Sequence, residues 1–193
     1  MSNKPHIQII LGSTRKGRQG DKVAKWVHEE AQKQDDFSVE LVDLVDHPLP
    51  FFDENPSPAY LNGNYTHPEG KAWAELVGKA DGYIVVTPEY NHGYPAVLKN
   101  ALDWVYKEWN NKPMAVVSYS GGPIGGARAV QELRTVAIEL QMAPLRGGVH
   151  VGGVSEAFDE MGKPKEERYQ KALESMFTHL MWWTKALKVA REQ

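Results

Sequence analysis

The sequence predicts an α/β fold: a three-layer sandwich with a five-stranded parallel sheet, in strand order 2-1-3-4-5, between two layers of helices. Three observations predict it. Short β-rich runs alternate with helix-period segments five times along the chain, the order of βαβ crossovers. Apolar runs such as "IVV" at 84–86 are continuous rather than alternating, as in strands covered on both faces. The length, 193 residues, suits one such domain over 1–193 and leaves no room for a second core of ordinary size.

The first strand reads "HIQIIL" (6–11), and "GDKVAKWVHEEAQKQ" follows with Val23, Val27 and Ala31 on one helical face. The second strand is "SVELVDL" (38–44). "EGKAWAELVGKA" (69–80) then places Trp73, Leu76, Val77 and Ala80 at i, i+3, i+4 and i+7. After "GYIVVT" (82–87), Pro95 opens a helix predicted over 95–109, with Val97, Leu98, Ala101, Leu102 and Val105 as its stripe. "MAVVSY" (114–119) is the fourth strand, and "GGARAVQELRTVAIEL" the next helix. A weaker fifth strand is "GGVHVG" (147–152), and a last helix spans about 165–190. This is flavodoxin-like in size and order. Ligands of such sheets sit beyond the carboxyl ends of the strands, so the first, third and fourth βα loops should line one cleft.

Residues 46–70 interrupt the rhythm with five of the chain's twelve prolines. A connection this long is functional or mobile more often than not, and it reads equally as a lid over the cleft or as a rigid surface excursion or a subunit contact. Phe51, Phe52, Tyr60 and Tyr65 call for some packing there.

Composition excludes whole classes of function. With no cysteine there is no disulfide, thiolate nucleophile, zinc–cysteine site or iron–sulfur cluster. A net charge of −3 gives no field favouring nucleic acid. No run approaches the roughly 18 apolar residues of a membrane helix, and the opening apolar run is short for a signal peptide. A cytoplasmic protein with small-molecule partners is the expectation.

The loop after the first strand, "GSTRKGRQG" (12–20), can be read as a phosphate cradle. Gly12 and Gly17 have P-loop spacing, but Arg18 and Gln19 stand where Lys and Ser/Thr are required, so the usual magnesium ligand is missing. Thr14 stands where the dinucleotide fingerprint needs glycine. A metal-free monophosphate site remains: hydroxyls of Ser13 and Thr14, amides at a helix start with its dipole, and the fork of Arg15. A solvated basic turn is the alternative. The loop after the third strand, "TPEYNHGYP" (87–95), combines a φ-fixing Pro88 with a permissive Gly93, and its backbone groups could read the edge of a planar heterocycle. Tyr90 and His92 offer flat surfaces, and His92 is expected to pack against a ring. After the fourth strand, "SYSGGPIGGARAV" (118–130) carries Gly121, Gly122, Gly125 and Gly126, expected to admit a ligand close to the backbone.

Together "GSTRKGRQG", "PEYNHGYPAVLKNALDW" and "SGGPIGGAR" resemble the signature segments of the NADPH-dependent FMN reductase family, which includes quinone, azo-dye and chromate reductases. The resemblance covers residues 5–185, and its specific part is P-E-Y-N with the helix that follows. It implies FMN as cofactor and NADPH, or NADH, as co-substrate. Ser13, Arg15, Arg18, Gln19 and Gly20 would surround the phosphate. Pro88, Glu89, Tyr90 and Asn91 would border the ring and ribityl chain, and Ser120, Gly121 and Gly122 would close the other side. Relatives carry a small hydroxyl or aromatic residue followed by Asn where this chain has Arg18 and Gln19, so Arg18 could instead meet the NADPH phosphates.

The implied mechanism is ping-pong: NADPH passes hydride to flavin N5 and leaves, and a quinone, flavin, azo or metal-oxyanion acceptor takes its place. No catalytic side chain and no metal are expected. "HEEAQ" (28–32) lacks the second histidine of H-E-x-x-H, and Ser120 and Ser155 lack the glycines of G-x-S-x-G. The alternative function is a flavodoxin-like electron carrier without its own NADPH site; a flavin-free regulatory protein on the same fold is a third. Trp26 and Trp73 suit helix faces against the sheet. Adjacent Trp182 and Trp183 diverge by about 100° on a helix, so one of them would face a partner in a homodimer or dimer of dimers, with the helix at 95–109 contributing.

Overall fold

In the computed structural model, which describes residues 4–193, β1 (His6–Leu11) is an interior strand and pairs in parallel with β2 (Ser38–Asp43) and β3 (Gly82–Pro88). β4 (Pro113–Tyr119) lies beyond β3, so the order is β2-β1-β3-β4-β5, as the alternation of elements implies. The fifth position is split. β5 (Ala143–Pro144) pairs with the start of β4, and β6 (Val149–Val151) pairs with its end. Only the second piece falls within the expected 147–152. The ladder to β4 continues through the Leu145 amide, which bonds the Met114 carbonyl at 2.8 Å, and the chain leaves β4 between there and Val149.

β3 and β4 are buried at every residue. One face of the sheet is covered by α1 (Gly20–Gln32) and α6 (Glu167–Arg191), where Trp26, Val27, Leu173 and Phe177 join Ile9, Ile84 and Val117. The other face carries α3 (Pro68–Gly78), α4 (Ala96–Asp103) and α5 (Ala127–Glu139), where Trp73, Leu98, Trp104 and Leu133 meet Ile10, Val85 and Val116. Trp26 and Trp73 are core residues, as their helical spacing implies.

The helix predicted over 95–109 ends at Asp103. The Tyr106 amide, which would continue it, donates to the Tyr65 hydroxyl at 3.3 Å. The Leu102 carbonyl that would accept it takes the Trp109 indole at 3.2 Å instead. Side chains thus take both ends of the missing helical bond.

Residues 46–70 hold a one-turn helix, α2 (Pro58–Leu61), and are tied to α4. Asn100 accepts from the Phe52 amide at 3.0 Å and donates to the Pro50 carbonyl at 2.8 Å, which also accepts the Trp104 indole at 2.7 Å. Tyr65 is buried and Phe52 half-buried, whereas Phe51 and Tyr60 face solvent. Glu54 anchors the far end: its carboxylate accepts from the Thr66 amide, the Thr66 hydroxyl at 2.7 Å and the His67 amide at 3.1 Å. Burial pushes this carboxyl up, but the hydrogen bonds from Thr66 and His67 outweigh it and hold the group below the usual carboxylate range. A lowered pKa in the folded state means stabilisation that is present above the ordinary pKa and lost as pH falls through the folded one. Glu54→Ala is therefore expected to cost about 2 kcal/mol near neutrality. The gap in melting temperature from the parent should begin to narrow as pH falls below the ordinary glutamate pKa of about 4.3 and go on narrowing through the lowered one. Among the described residues no helix is long and apolar enough to cross a membrane.

Candidate active site

Three loops meet at the carboxyl ends of β1, β3 and β4. In the first, β1 ends, Gly12 hands its amide to the Val86 carbonyl at 2.8 Å, and the chain turns outward. A Cβ at Gly12 would lie 2.8 Å from a Leu98 methyl, so glycine holds the loop against α4. Ser13 is fully buried, and its hydroxyl pairs with the Tyr90 hydroxyl at 2.8 Å. Thr14 and Arg15 are exposed, and Arg15 has no ion-pair partner among the described residues. The backbone amides of Ser13, Thr14, Gly20 and Asp21 find no partner there either, and α1 has no side-chain cap at Gln19. The start of α1 is open to an anion.

Arg18 is placed differently from the expectation that it meets a flavin or NADPH phosphate. Its guanidinium donates to both carboxylate oxygens of Asp43, to the Ser13 carbonyl, and through Nε to Asp21 at 2.7 Å. The hydrogen bonds it donates to Asp43, and next the one to Asp21, raise its pKa further against the effect of burial. Arg18 is a tether that ties the loop to the end of β2. The sequence signal was present: Asp43 closes the apolar run of β2 at the same edge of the sheet.

The second loop is a hairpin. Tyr90 and Gly93 exchange both backbone hydrogen bonds, at 2.8 and 3.0 Å, around Asn91 and His92. Glu89 is anchored: its carboxylate accepts from the Arg128 amide at 3.1 Å and the Arg128 guanidinium at 2.9 Å. Burial raises this carboxyl, but the Arg128 bonds outweigh it and lower its pKa, so Glu89 stays ionised and fixes the hairpin to the start of α5. Nothing in the sequence paired Glu89 with Arg128, 39 residues away. The amides of Asn91 and His92 carry no hydrogen bond among the described residues.

In the third loop the Ser120 amide bonds the Val151 carbonyl at 3.0 Å, while the amides of Gly121 and Gly122 carry no hydrogen bond among the described residues. The Ser118 hydroxyl donates to the Gly125 carbonyl at 2.7 Å and meets His150 Nδ1 at 2.8 Å. Burial, then the charge of Arg134, depresses the His150 pKa, so the neutral ring is favoured at this position.

Two buried polar atoms at this edge lack a partner: the Tyr119 hydroxyl and Gln19 Oε1. The Tyr119 hydroxyl lies so near the start of α1 that a Cβ at Gly20 would sit 2.4 Å from it. Burial pushes this phenol up, and it stays a neutral donor. A phosphate-tailed ligand would bring acceptor oxygens to an orphan hydroxyl, free helix-start amides and an unengaged guanidinium. A planar ring would meet free amides on two further loops. FMN has both parts, and the residues present fit it. Sequence reasoning missed Tyr119, which reads only as the last residue of an apolar strand.

Among the described residues no cluster could hold a metal ion. A concavity of about 1050 Å³ is bordered by Tyr65, Lys71, Glu75, Lys107 and Lys112 near the starts of β3 and β4, and includes none of the three loops.

A phosphate-and-ring site at the switch point of a 2-1-3-4-5 sheet defines a flavodoxin-like nucleotide-binding protein. The model of the NADPH-dependent FMN reductase family matches residues 5–156. An NAD(P)H-dependent FMN reductase of Schizosaccharomyces pombe is 44% identical over 142 residues, covering 72% of this chain and 70% of that protein. A quinone reductase of Escherichia coli is 34% identical over 161 residues, 80% of each chain. The solved structure of FerB from Paracoccus denitrificans, a flavoenzyme NAD(P)H:(acceptor) oxidoreductase, superposes with a TM-score of 0.77. That structure is 23% identical and covers 94% of this chain and 98% of its own. The chain belongs to the NADPH-dependent FMN reductase family, a family of oxidoreductases that use FMN and NAD(P)H.

Proposed function

We propose that this chain is an FMN-dependent NAD(P)H oxidoreductase of ping-pong type, acting in the cytoplasm on quinone, flavin, azo or metal-oxyanion acceptors. The observation that carries the reading is the convergence of a fully buried Ser13, an orphaned Tyr119 hydroxyl and unpartnered amides of three loops at one sheet edge. When bound, FMN supplies the hydride-accepting and hydride-delivering centre. The protein's part is to bind and orient. Ser13 and Arg15, with the amides from Gln19 and Gly20, hold the phosphate tail. Pro88, Glu89, Tyr90 and Asn91 border ring and ribityl, with Glu89 fixed by Arg128 rather than free for proton transfer. Ser120, Gly121 and Gly122 close the opposite side. The free amides of Asn91, His92, Gly121 and Gly122 would stabilise negative charge on the ring, as oxyanion-hole donors do.

The test is the visible spectrum. Purified protein reconstituted with FMN is expected to show the flavin bands, and anaerobic NADPH should bleach them promptly in stopped flow. A yellow protein that NADPH leaves yellow is the electron carrier. A colourless protein that takes up no FMN removes the reading altogether.

We also infer a homodimer or dimer of dimers. Trp104 and Trp109 are buried in their own subunit, so they leave the partner contact to Trp182 and Trp183. These two stack edge to face at 5.1 Å on α6, 65% and 41% exposed, a large apolar surface for one helix to leave in water. Light scattering at micromolar concentration is expected to give a multiple of 21.7 kDa. The double replacement Trp182→Ser/Trp183→Ser should reduce that mass; monomeric wild type removes the inference.

A further inference from the structure

The hairpin after β3 carries a side chain that its own fold does not ask for. Asn91 has φ +51° and His92 φ +72°, so the two central residues form a type I′ turn. Such turns prefer Asn-Gly. Asn91 conforms. His92 holds a Cβ in left-handed backbone, which costs about 1 kcal/mol for a non-glycine residue. The imidazole recovers none of that from its own chain. It is exposed, and among the described residues its ring makes no hydrogen bond, ion pair or aromatic contact. Its position is nevertheless fixed. Tyr90 at the base of the hairpin meets Ser13 at 2.8 Å, and Glu89 is held by Arg128 at 2.9 Å. The tip therefore projects from the junction of the three loops, beside the free amides of Asn91 and His92.

Resting on the function proposed above, we propose that the His92 imidazole contacts the electron acceptor and donates a hydrogen bond to a carbonyl oxygen on it, favouring quinone-class acceptors over those that lack such an oxygen. Reduction places negative charge on that oxygen, and a pre-placed donor stabilises charge where it develops. A strained, exposed residue with no hydrogen bond, ion pair or aromatic contact among the described residues is the pattern of a side chain kept for a ligand.

His92→Gly gives the turn its preferred residue. The apoprotein is expected to melt at the same temperature as the parent or higher, FMN affinity should be unchanged because glycine keeps the backbone amide, and NADPH should still bleach the flavin. kcat/KM for benzoquinone is expected to fall about tenfold, the loss of one useful hydrogen bond. Ferricyanide, which takes electrons without a carbonyl, should be reduced as before. His92→Asn, which tolerates positive φ and can donate through its amide, should restore most of the quinone rate. Independently of turnover, the His92 ring proton resonances of the oxidised holoenzyme should shift when hydroquinone is added. A His92→Gly variant that melts lower, or that reduces quinone as fast as the parent, overturns the proposal. So does a His92→Asn variant as impaired as the glycine one. Wild-type protein that binds no FMN defeats the proposed function; a yellow, NADPH-bleached enzyme with an unimpaired His92→Gly variant defeats only the role of His92.

Discussion

Gly125→Ala is expected to destabilise the protein by about 4 kcal/mol, through forced left-handed backbone and a backbone clash together. For a chain of this size the melting temperature should fall by about 10 °C. Gly125 has φ +64°, and a Cβ there would lie 2.5 Å from the His150 carbonyl carbon, 2.7 Å from its oxygen and 2.8 Å from the Val151 amide. All three are backbone atoms of β6, so no rotamer change relieves the contact. Nor can the loop lift away, because the Gly125 carbonyl is held by the buried Ser118 hydroxyl at 2.7 Å. Gly121→Ala in the same loop is the control. Its Cβ meets nothing within 4 Å, so stability should hardly move. If FMN packs there, only flavin affinity should drop. Equal melting of the Gly125→Ala protein and its parent would show that β6 does not hold this loop.

That contrast also shows how far the sequence could be read. Four glycines after β4 look equivalent in "SGGPIGGAR" and suggest one purpose, close approach of a ligand. The structure divides them. Gly125 and Gly126, both at positive φ, let the loop close against β4 and β6, while a Cβ at Gly121 would meet open space and one at Gly122 only the Ser120 hydroxyl at 3.9 Å. A local pattern shows that a side chain is excluded; only the fold shows what excludes it. Strand order and helix faces were legible because periodicity and alternation are local signals, and β3 and β4 are as uniformly buried as their apolar runs imply. Where the reading fell short, a distant partner decided. Tyr65 and Trp109 take the hydrogen bonds that would have carried α4 past Asp103. Asp43 engages the Arg18 guanidinium through both carboxylate oxygens. Sequence leaves the segment 46–70 open between a lid and a surface excursion; Asn100 ties it to α4 and Glu54 cross-links it internally, with bonds no spacing rule could foresee. The position of the loops at the sheet edge follows from topology, but the orphaned Tyr119 hydroxyl needed coordinates.

The replacement expected to change function most is the pair Ser13→Ala and Arg15→Ala. Arg15 is exposed at the open start of α1 with no ion-pair partner among the described residues, so its removal disturbs no internal contact. Ser13 is buried and shares a hydrogen bond with Tyr90 at 2.8 Å, and the half-exposed Tyr90 can turn to solvent when that partner is lost. The apoprotein should therefore melt within a few degrees of the parent. A charge-assisted fork to phosphate contributes about 2–3 kcal/mol and a hydroxyl bond about 1 kcal/mol. Together these predict FMN binding weaker by roughly 100- to 1000-fold, read by quenching of free flavin fluorescence on titration. The helix-start amides and the Tyr119 hydroxyl survive the change, so binding should be weakened and not abolished. Tyr119→Phe added to the pair should weaken it further, since it removes the last side-chain donor buried beneath the site. FMN affinity that is indifferent to Ser13 and Arg15 would mean that the phosphate tail is held elsewhere, and that the open start of α1 is only a solvated turn.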